Sequence, residues 1–243
     1  MSLALDARRL FRAQPHATLG TLSTALAGYP YCSVVPYVLD HEARPIILVS
    51  RLAEHTHNMD ADPRVCLFAH EAMPDVQMGS RATLMGNARR IDGAEPATDR
   101  YARYFAQART YEETLDFDYY RIEPASLRVV AGFAKVHWVS REAYTPAIGD
   151  FAAQEQSVLS ELNVHCAEAV RDYCVHQLEI DPTDGGIVGV DDGESDAGDK
   201  GSGYDGQQVA GMDGLHGYPA SDPVGEELRG NDGQRSDERT THP

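Results

Sequence analysis

Six or seven short strand-like segments, most joined by tight turns and with few helices between them, predict a mainly β fold: a closed antiparallel barrel with flanking helices. A parallel α/β sheet would need a helix between most strands, and this chain supplies few. A helical stretch and then an acidic, glycine-rich segment follow the strands. These shifts divide the 243 residues into a barrel over 1–141, a helical extension over 142–180 and a tail over 181–243.

The elements follow in order. MSLALDARRLFRAQPH places Leu3, Leu5, Leu10 and Phe11 on one side of a short helix. It has neither the long apolar core nor the small-residue cleavage site of a secretory signal, so a cytoplasmic protein is expected. ATLGTLS (17–23), YCSVVPYVLD (31–40) and PIILVS (45–50) are rich in β-branched residues and separated by Ala-Gly-Tyr-Pro and His-Glu-Ala-Arg, hence strands. SRLAEHTHNMDA (50–61) reads as a helix closed by Pro63. RVCLFAH (64–70) is a buried strand, and DVQMGSRATLMGNARRI (75–91) a longer one, bent near Gly79 or Gly86. EPATDRYARYFAQA (95–108) is helical. FDYYRIEP (117–124), SLRVVAGF (126–133) and KVHWVS (135–140) complete the strands.

Residues 150–178 read as one long amphipathic helix with Val158, Leu159, Leu162, Cys166, Ala169, Val170 and Tyr173 as its apolar stripe. Beyond 181 the chain holds 14 of its 21 glycines, and most of 190–243 lacks the apolar surface to offset its ordering entropy.

The net charge is −17, but residues 181–243 hold 15 Asp+Glu against 4 Lys+Arg, so −11 of it belongs to the tail. This balance argues against binding nucleic acid or an anionic membrane. No apolar run approaches the length of a membrane span. The four cysteines show no CxxC spacing and read as free thiols in a reducing compartment.

The densest polar stretch is SRLAEHTHN (50–58). Three readings compete. A metal site on His55 and His57 is disfavoured, because residues two apart on a helix point to different faces. An anion site fits better: a helix N-terminus offers unpaired N–H groups and a positive dipole end, with Arg51 and His55 four apart and Thr56 adding a hydroxyl. The third reading is a polar cap and solvated first turn. Two further segments can reach the same barrel rim. Ser33 and Val35 share one strand face, as do Arg81 and Thr83.

GYPYCSVVPYVLD, RPIILVSRLAEHTHNMDADPRV, SRATLMGNAR and DFDYYRIEP…RVVAGFAKVHW, in this order, resemble the HugZ family of the FMN-binding split-barrel group, to which pyridoxamine 5′-phosphate oxidase belongs. The resemblance covers roughly residues 5–140 and extends weakly through 150–174. It implies a six-stranded Greek-key split barrel that dimerises, with FMN at the subunit interface. It assigns Ser50, Arg51, His55 and Thr56 to the flavin-phosphate end. Ser33, Val34 and Val35 would run beside the flavin, with Arg81 and Thr83 approaching from the later strand.

Two departures matter. The basic C-terminal segment that pyridoxamine phosphate oxidases use for their substrate is missing after Trp138, which argues against pyridoxal phosphate synthesis. Where the family's second domain has HMNxDH, this chain reads ELNVHC (161–166), with His165 and Cys166 in place of Asp and His.

Three functions remain open. The first is a flavin-dependent oxidoreductase of the pyridoxamine 5′-phosphate oxidase-like type, whose catalytic residues the sequence does not name. The second is a haem-binding or haem-utilisation protein of the HugZ type, with His137, His165 and His176 as candidate iron ligands. The third is a non-enzymatic ligand-binding dimer.

Overall fold

The computed structural model describes residues 2–132, 136–147, 151–165, 168–169 and 189. Eight strands form one antiparallel sheet: β1 (His16–Leu22), β2 (Pro30–Pro36), β3 (Val38–Leu39), β4 (Pro45–Ser50), β5 (Arg64–His70), β6 (Arg81–Ile91), β7 (Phe117–Val130) and β8 (Val136–Ser140). Their order is β2-β1-β5-β6-β7-β4-β3, with β8 pairing β7 off this path. The two ends of that order are consecutive in sequence. β2 leaves one edge at Pro36, Tyr37 turns the corner, and β3 enters at the other edge. The sheet is thereby curled on itself, as the predicted barrel requires. Eight strands replace the six that the resemblance implies.

Alternation sorts the side chains. Leu19, Val35, Ile47, Leu67, Leu84, Ile122 and Leu127 point inward and form the core. Helix α1 (Leu3–Ala13) covers one end of it with Ala7, Leu10 and Phe11. It is tied to the short α5 (Arg141–Tyr144), where Arg8 donates to the carbonyl of Tyr144.

The long strand expected over 75–91 begins only at Arg81, because residues 71–80 form a loop closed by Glu71 N–H to the Ser80 carbonyl at 2.9 Å. The two strands expected at 117–124 and 126–133 are one, β7. Its register against β6 steps from Met85↔Ser126 to Gly86↔Pro124, leaving Ala125 as a bulge. Pro124, with no N–H to donate, is tolerated there. Gly86 is required at the same step, since a Cβ would run into the Glu123 carbonyl.

The helix expected over 95–108 is two: α3 (Pro96–Tyr104) and α4 (Ala108–Thr114). They pack a smaller core on β4 and β7, where Tyr101 meets Tyr119 edge-on at 5.6 Å.

Helix α2 (Glu54–Ala61) joins β4 to β5. The expected start at Ser50 is corrected to Glu54. The Ser50 carbonyl instead accepts from Ala53 N–H (3.1 Å) and the Thr56 hydroxyl (2.7 Å), which folds 50–53 into a turn. Asn58, fully buried, docks α2 on β1: its Nδ2 donates to Thr21 Oγ1 (3.0 Å), and its Oδ1 accepts from Thr24 N–H (2.8 Å) and Thr24 Oγ1 (3.0 Å).

Helix α6 (Phe151–His165) includes Val158, Leu159 and Leu162 of the expected stripe, with Leu159 buried. Ala169 is exposed, while Cys166, Val170 and Tyr173 lie outside the described residues. The helix is anchored by a charge, not only by that stripe. Buried Glu155 accepts from Arg100, from Arg103 Nη2 (2.6 Å) and from His41 Nε2 (3.2 Å). The tail expected to be disordered over most of 190–243 is outside the described residues. Gly189, just before it, is buried against Tyr104. No helix among the described residues is long and apolar enough to cross a membrane.

Two outcomes are expected. Asn58→Ala leaves the buried Thr21 hydroxyl without its Asn58 donor, which costs about 1–3 kcal/mol, while the exposed Thr24 groups turn to water. The melting temperature should fall by about 2–4 °C for each kcal/mol lost. Glu155 supplies a pH-dependent link. Burial raises its pKa, but the His41 hydrogen bond and the charges of Arg100 and Arg103 outweigh burial and hold it at about 2. A depressed carboxylate stabilises the fold above its unfolded value of about 4.3 and loses that contribution as pH falls toward the folded value. A fluorophore on α6 should therefore report undocking as pH drops from about 4 to about 2, a transition absent in Glu155→Gln.

Candidate functional site

The residues singled out in the sequence fall into two groups on opposite sides of the sheet. Ser33 and Val35 point to the inner side of β2, Val35 into the core, while Val34 points outward and is 71% exposed. Ser33 Oγ lies 3.1 Å from His55 Nδ1. His55 is half-buried, and this desolvation lowers its pKa below the ordinary histidine value. Its Nε2 is buried with no partner among the described residues. His57, by contrast, is exposed, so the two histidines do not converge. Among the described residues no group of three or more His, Cys, Asp or Glu is placed to hold a metal ion.

Arg51 precedes α2, so its spacing to His55 is not helical. Its side chain makes a two-pronged ion pair with Asp118, Nε to Oδ2 at 2.7 Å and Nη2 to Oδ1 at 2.9 Å. Asp116 stands 3.7 Å from its Nη1. The Arg51 hydrogen bond holds the Asp118 carboxyl below its usual range against the opposing effect of burial, with help from Arg90. A groove of about 490 Å³ opens beside this pair, lined in part by Glu112, Glu113 and Asp116. Ser50 Oγ accepts from Leu52 N–H at 3.2 Å, and the buried Thr56 hydroxyl is spent on the Ser50 carbonyl. Of the phosphate-end residues, Arg51 is thus ion-paired at the surface, Ser50 and Thr56 serve the turn, and carboxylates line part of the adjoining groove.

Arg81 and Thr83 do share a face, but it is the outer one. The registers β1–β2, β1–β5, β5–β6, β6–β7 and β7–β8 place Val34, Thr18, Phe68, Thr83, Arg128 and Trp138 in one row across it. Trp138 is 63% exposed, with the Arg128 guanidinium 5.2 Å from its ring centroid. Arg81 Nη1 donates only to backbone carbonyls, of Val76 (3.1 Å) and Gly79 (3.4 Å). Neither Arg81 nor Arg128 has a carboxylate partner among the described residues.

Of the candidate iron ligands, His137 on β8 is exposed, His165 ends α6 exposed, and His176 lies outside the described residues. Sequence reasoning passed over Asn58 and Asp118, which hold the motif in place, and His70 at the end of β5. The signal for His70 was available: alternation in RVCLFAH puts Cys66, Phe68 and His70 on one face.

Known proteins resemble this chain in the same sense. The chloroplastic heme oxygenase HOZ of Arabidopsis thaliana is 31% identical over 176 residues, which cover 70% of this chain and 54% of HOZ. The chain thus spans about half the length of this curated relative. A heme binding protein from Mycobacterium smegmatis superimposes with a TM-score of 0.54 at 28% identity, covering 73% of this chain and 74% of that one. A protein of unknown function from Agrobacterium tumefaciens shares the fold with a TM-score of 0.63 at 22% identity, covering 77% of this chain and 80% of its own. The profile described as pyridoxamine 5′-phosphate oxidase matches residues 6–131, more than half of the chain, and agrees with the curled antiparallel sheet: this protein belongs to the pyridoxamine 5′-phosphate oxidase family and has its split-barrel fold.

Proposed function

We propose that this protein binds haem and acts in haem handling, as a homodimer with the ligand at the subunit interface. The observation that carries this reading is the state of the phosphate end. A flavin phosphate is a dianion and needs uncommitted cations and donors. Here the one arginine of SRLAEHTHN is ion-paired to Asp118, and Glu112, Glu113 and Asp116 line the adjoining groove. Cations with no carboxylate partner among the described residues stand instead on the outer face, at Arg81 and Arg128, among Val34, Phe68 and Trp138. A flat, partly apolar ligand with two carboxylates matches that face better than a phosphate matches the turn before α2. The names of the Arabidopsis and Mycobacterium relatives support the same ligand. Bound haem would supply iron redox chemistry; the chain would supply its seat and exclude water. The free thiols of Cys32 and Cys66 suit a reducing compartment such as the cytoplasm.

A second reading, an FMN-dependent oxidoreductase of the pyridoxamine 5′-phosphate oxidase-like type, is favoured by one observation. His55 Nε2 is buried without a partner beside Ser33, as a donor kept for an absent acceptor would be.

Separate titrations with hemin and FMN decide between them. Hemin should give a saturable Soret band, and FMN no saturable binding. Submicromolar FMN binding that inorganic phosphate competes away, with weak hemin binding, would replace haem by flavin. The dimer is checked independently. Light scattering should report two copies for the native chain and one for Val34→Arg, with circular dichroism unchanged. A Val34→Arg variant that stays dimeric would remove the outer face from the interface.

A further inference from the structure

We infer that His70 is the protein ligand to iron in a haem seated on the outer face of the sheet, beside the loop that joins β5 to β6. This assignment rests on the haem reading above and adds a site that neither the motif nor the candidate histidines indicated.

Four observations converge on His70. First, its neighbour favours one ring orientation. Nδ1 lies 2.9 Å from the Glu71 carbonyl oxygen, which can only accept, so Nδ1–H is the donor and the neutral ring offers its lone pair at Nε2. A ligating histidine needs this arrangement: one nitrogen donates to a carbonyl, and the other is left for the metal. No described residue takes Nε2. Second, the ring is held from behind, stacked on Phe68 with centroids 5.8 Å apart and planes 29° from parallel. Third, it faces a cation. His70 is directly opposite Arg81 in the β5–β6 register, and Arg128 lies in the neighbouring row on the same face. A propionate at either arginine would make a charge-assisted hydrogen bond. Fourth, the loop after His70 exposes apolar surface: Met73 is 44%, Val76 56% and Met78 54% exposed. Its base is closed by Glu71, whose Oε2 accepts from Ser80 N–H at 2.7 Å, so that carboxylate is engaged on the loop.

The outward row then gives the ligand a floor. From β5 to β8 lie three strand spacings, about 14 Å, bearing Phe68, Thr83, Arg128 and Trp138. His55 cannot play this role as it stands, since its Nε2 is buried on the inner side of the sheet.

The test uses the full chain loaded with hemin and read by absorption and electron paramagnetic resonance. Native protein should show an imidazole-ligated iron signature. His70→Ala and His70→Gln should lose it and bind hemin at least tenfold more weakly. Free imidazole should restore the signature, which a merely structural role for His70 would not allow. Arg128→Ala should weaken hemin binding while leaving the iron signature in place. His55→Ala should change neither. If native protein binds hemin and both His70 variants keep its affinity and signature, the His70 assignment is overturned while the haem reading stands. If native protein shows no saturable hemin binding, the haem reading itself fails and His70 with it.

Discussion

The corner at Tyr37 is the constraint on which the rest of the structure depends. β2 forms one edge of the sheet and β3 the other, yet only Tyr37 separates them in the chain. The sheet must therefore curl until its edges meet. Tyr37 is held from two sides: its hydroxyl donates to the Phe11 carbonyl at 2.5 Å, and its ring meets Phe11 edge-on at 6.2 Å. Its backbone N–H donates to the Pro15 carbonyl at 3.3 Å. Helix α1 is thus fastened to the point where the barrel closes. Inward alternation along every strand then has one shared destination, and each strand acquires an unambiguous inner and outer side.

That division of sides separates the polar residues the sequence had grouped. Ser33 and His55 meet within the wall near α2, whereas Arg81 and Thr83 belong to the outer surface. Charge reinforces the separation. Arg51, Arg90, Arg100, Arg103 and Arg121 each face a carboxylate. At the largely buried Arg100 and the partly buried Arg103 and Arg121 such pairs bring the local charge near zero; at the half-exposed Arg51 and Arg90 solvent screens them. Arg81 and Arg128 are bound by carbonyls and by an indole ring instead, which leaves their charge available. That difference is the basis for the proposed seat of an anionic ligand on the outer face.

Much of this was legible in the sequence. The strands at 17–23, 45–50 and 64–70 were, because β-branched runs bounded by turn residues encode them locally. Of the two glycines read as a possible bend, Gly79 lies in the loop before β6 and Gly86 marks the register step, where the missing side chain admits the Glu123 backbone. The start of α2 was not legible. Whether 50–53 continue a helix depends on Ser50's carbonyl, which the Thr56 hydroxyl and Ala53 N–H both claim. The partner of Arg51 lies 67 positions away on a strand read as separate, and no local pattern predicts that contact. The anchoring of α6 was hidden for the same reason. Glu155 looks like a solvated residue on the polar face until Arg100 and Arg103 of α3 are brought beneath it.

The same reasoning bears on how far a fold carries a ligand. The split barrel is preserved through residues 6–131, and fold conservation is mostly a matter of inward-facing apolar residues and the corner that closes them. Ligand choice rests on other residues, at strand ends and turns, where exchanging a charge costs the core nothing. Here the turn before α2 is hydroxyl-rich, and Asp116 and Asp118 pair with its arginine, linking the end of β4 to the start of β7. That link stabilises the pairing of Val49 with Asp118 and Ser50 with Phe117 at the open end of the sheet. A phosphate bound at Arg51 would have to share or displace the Asp118 pair. Asp118 and a ligand phosphate would compete for the same guanidinium, and the proposed choice of haem over flavin turns on that competition.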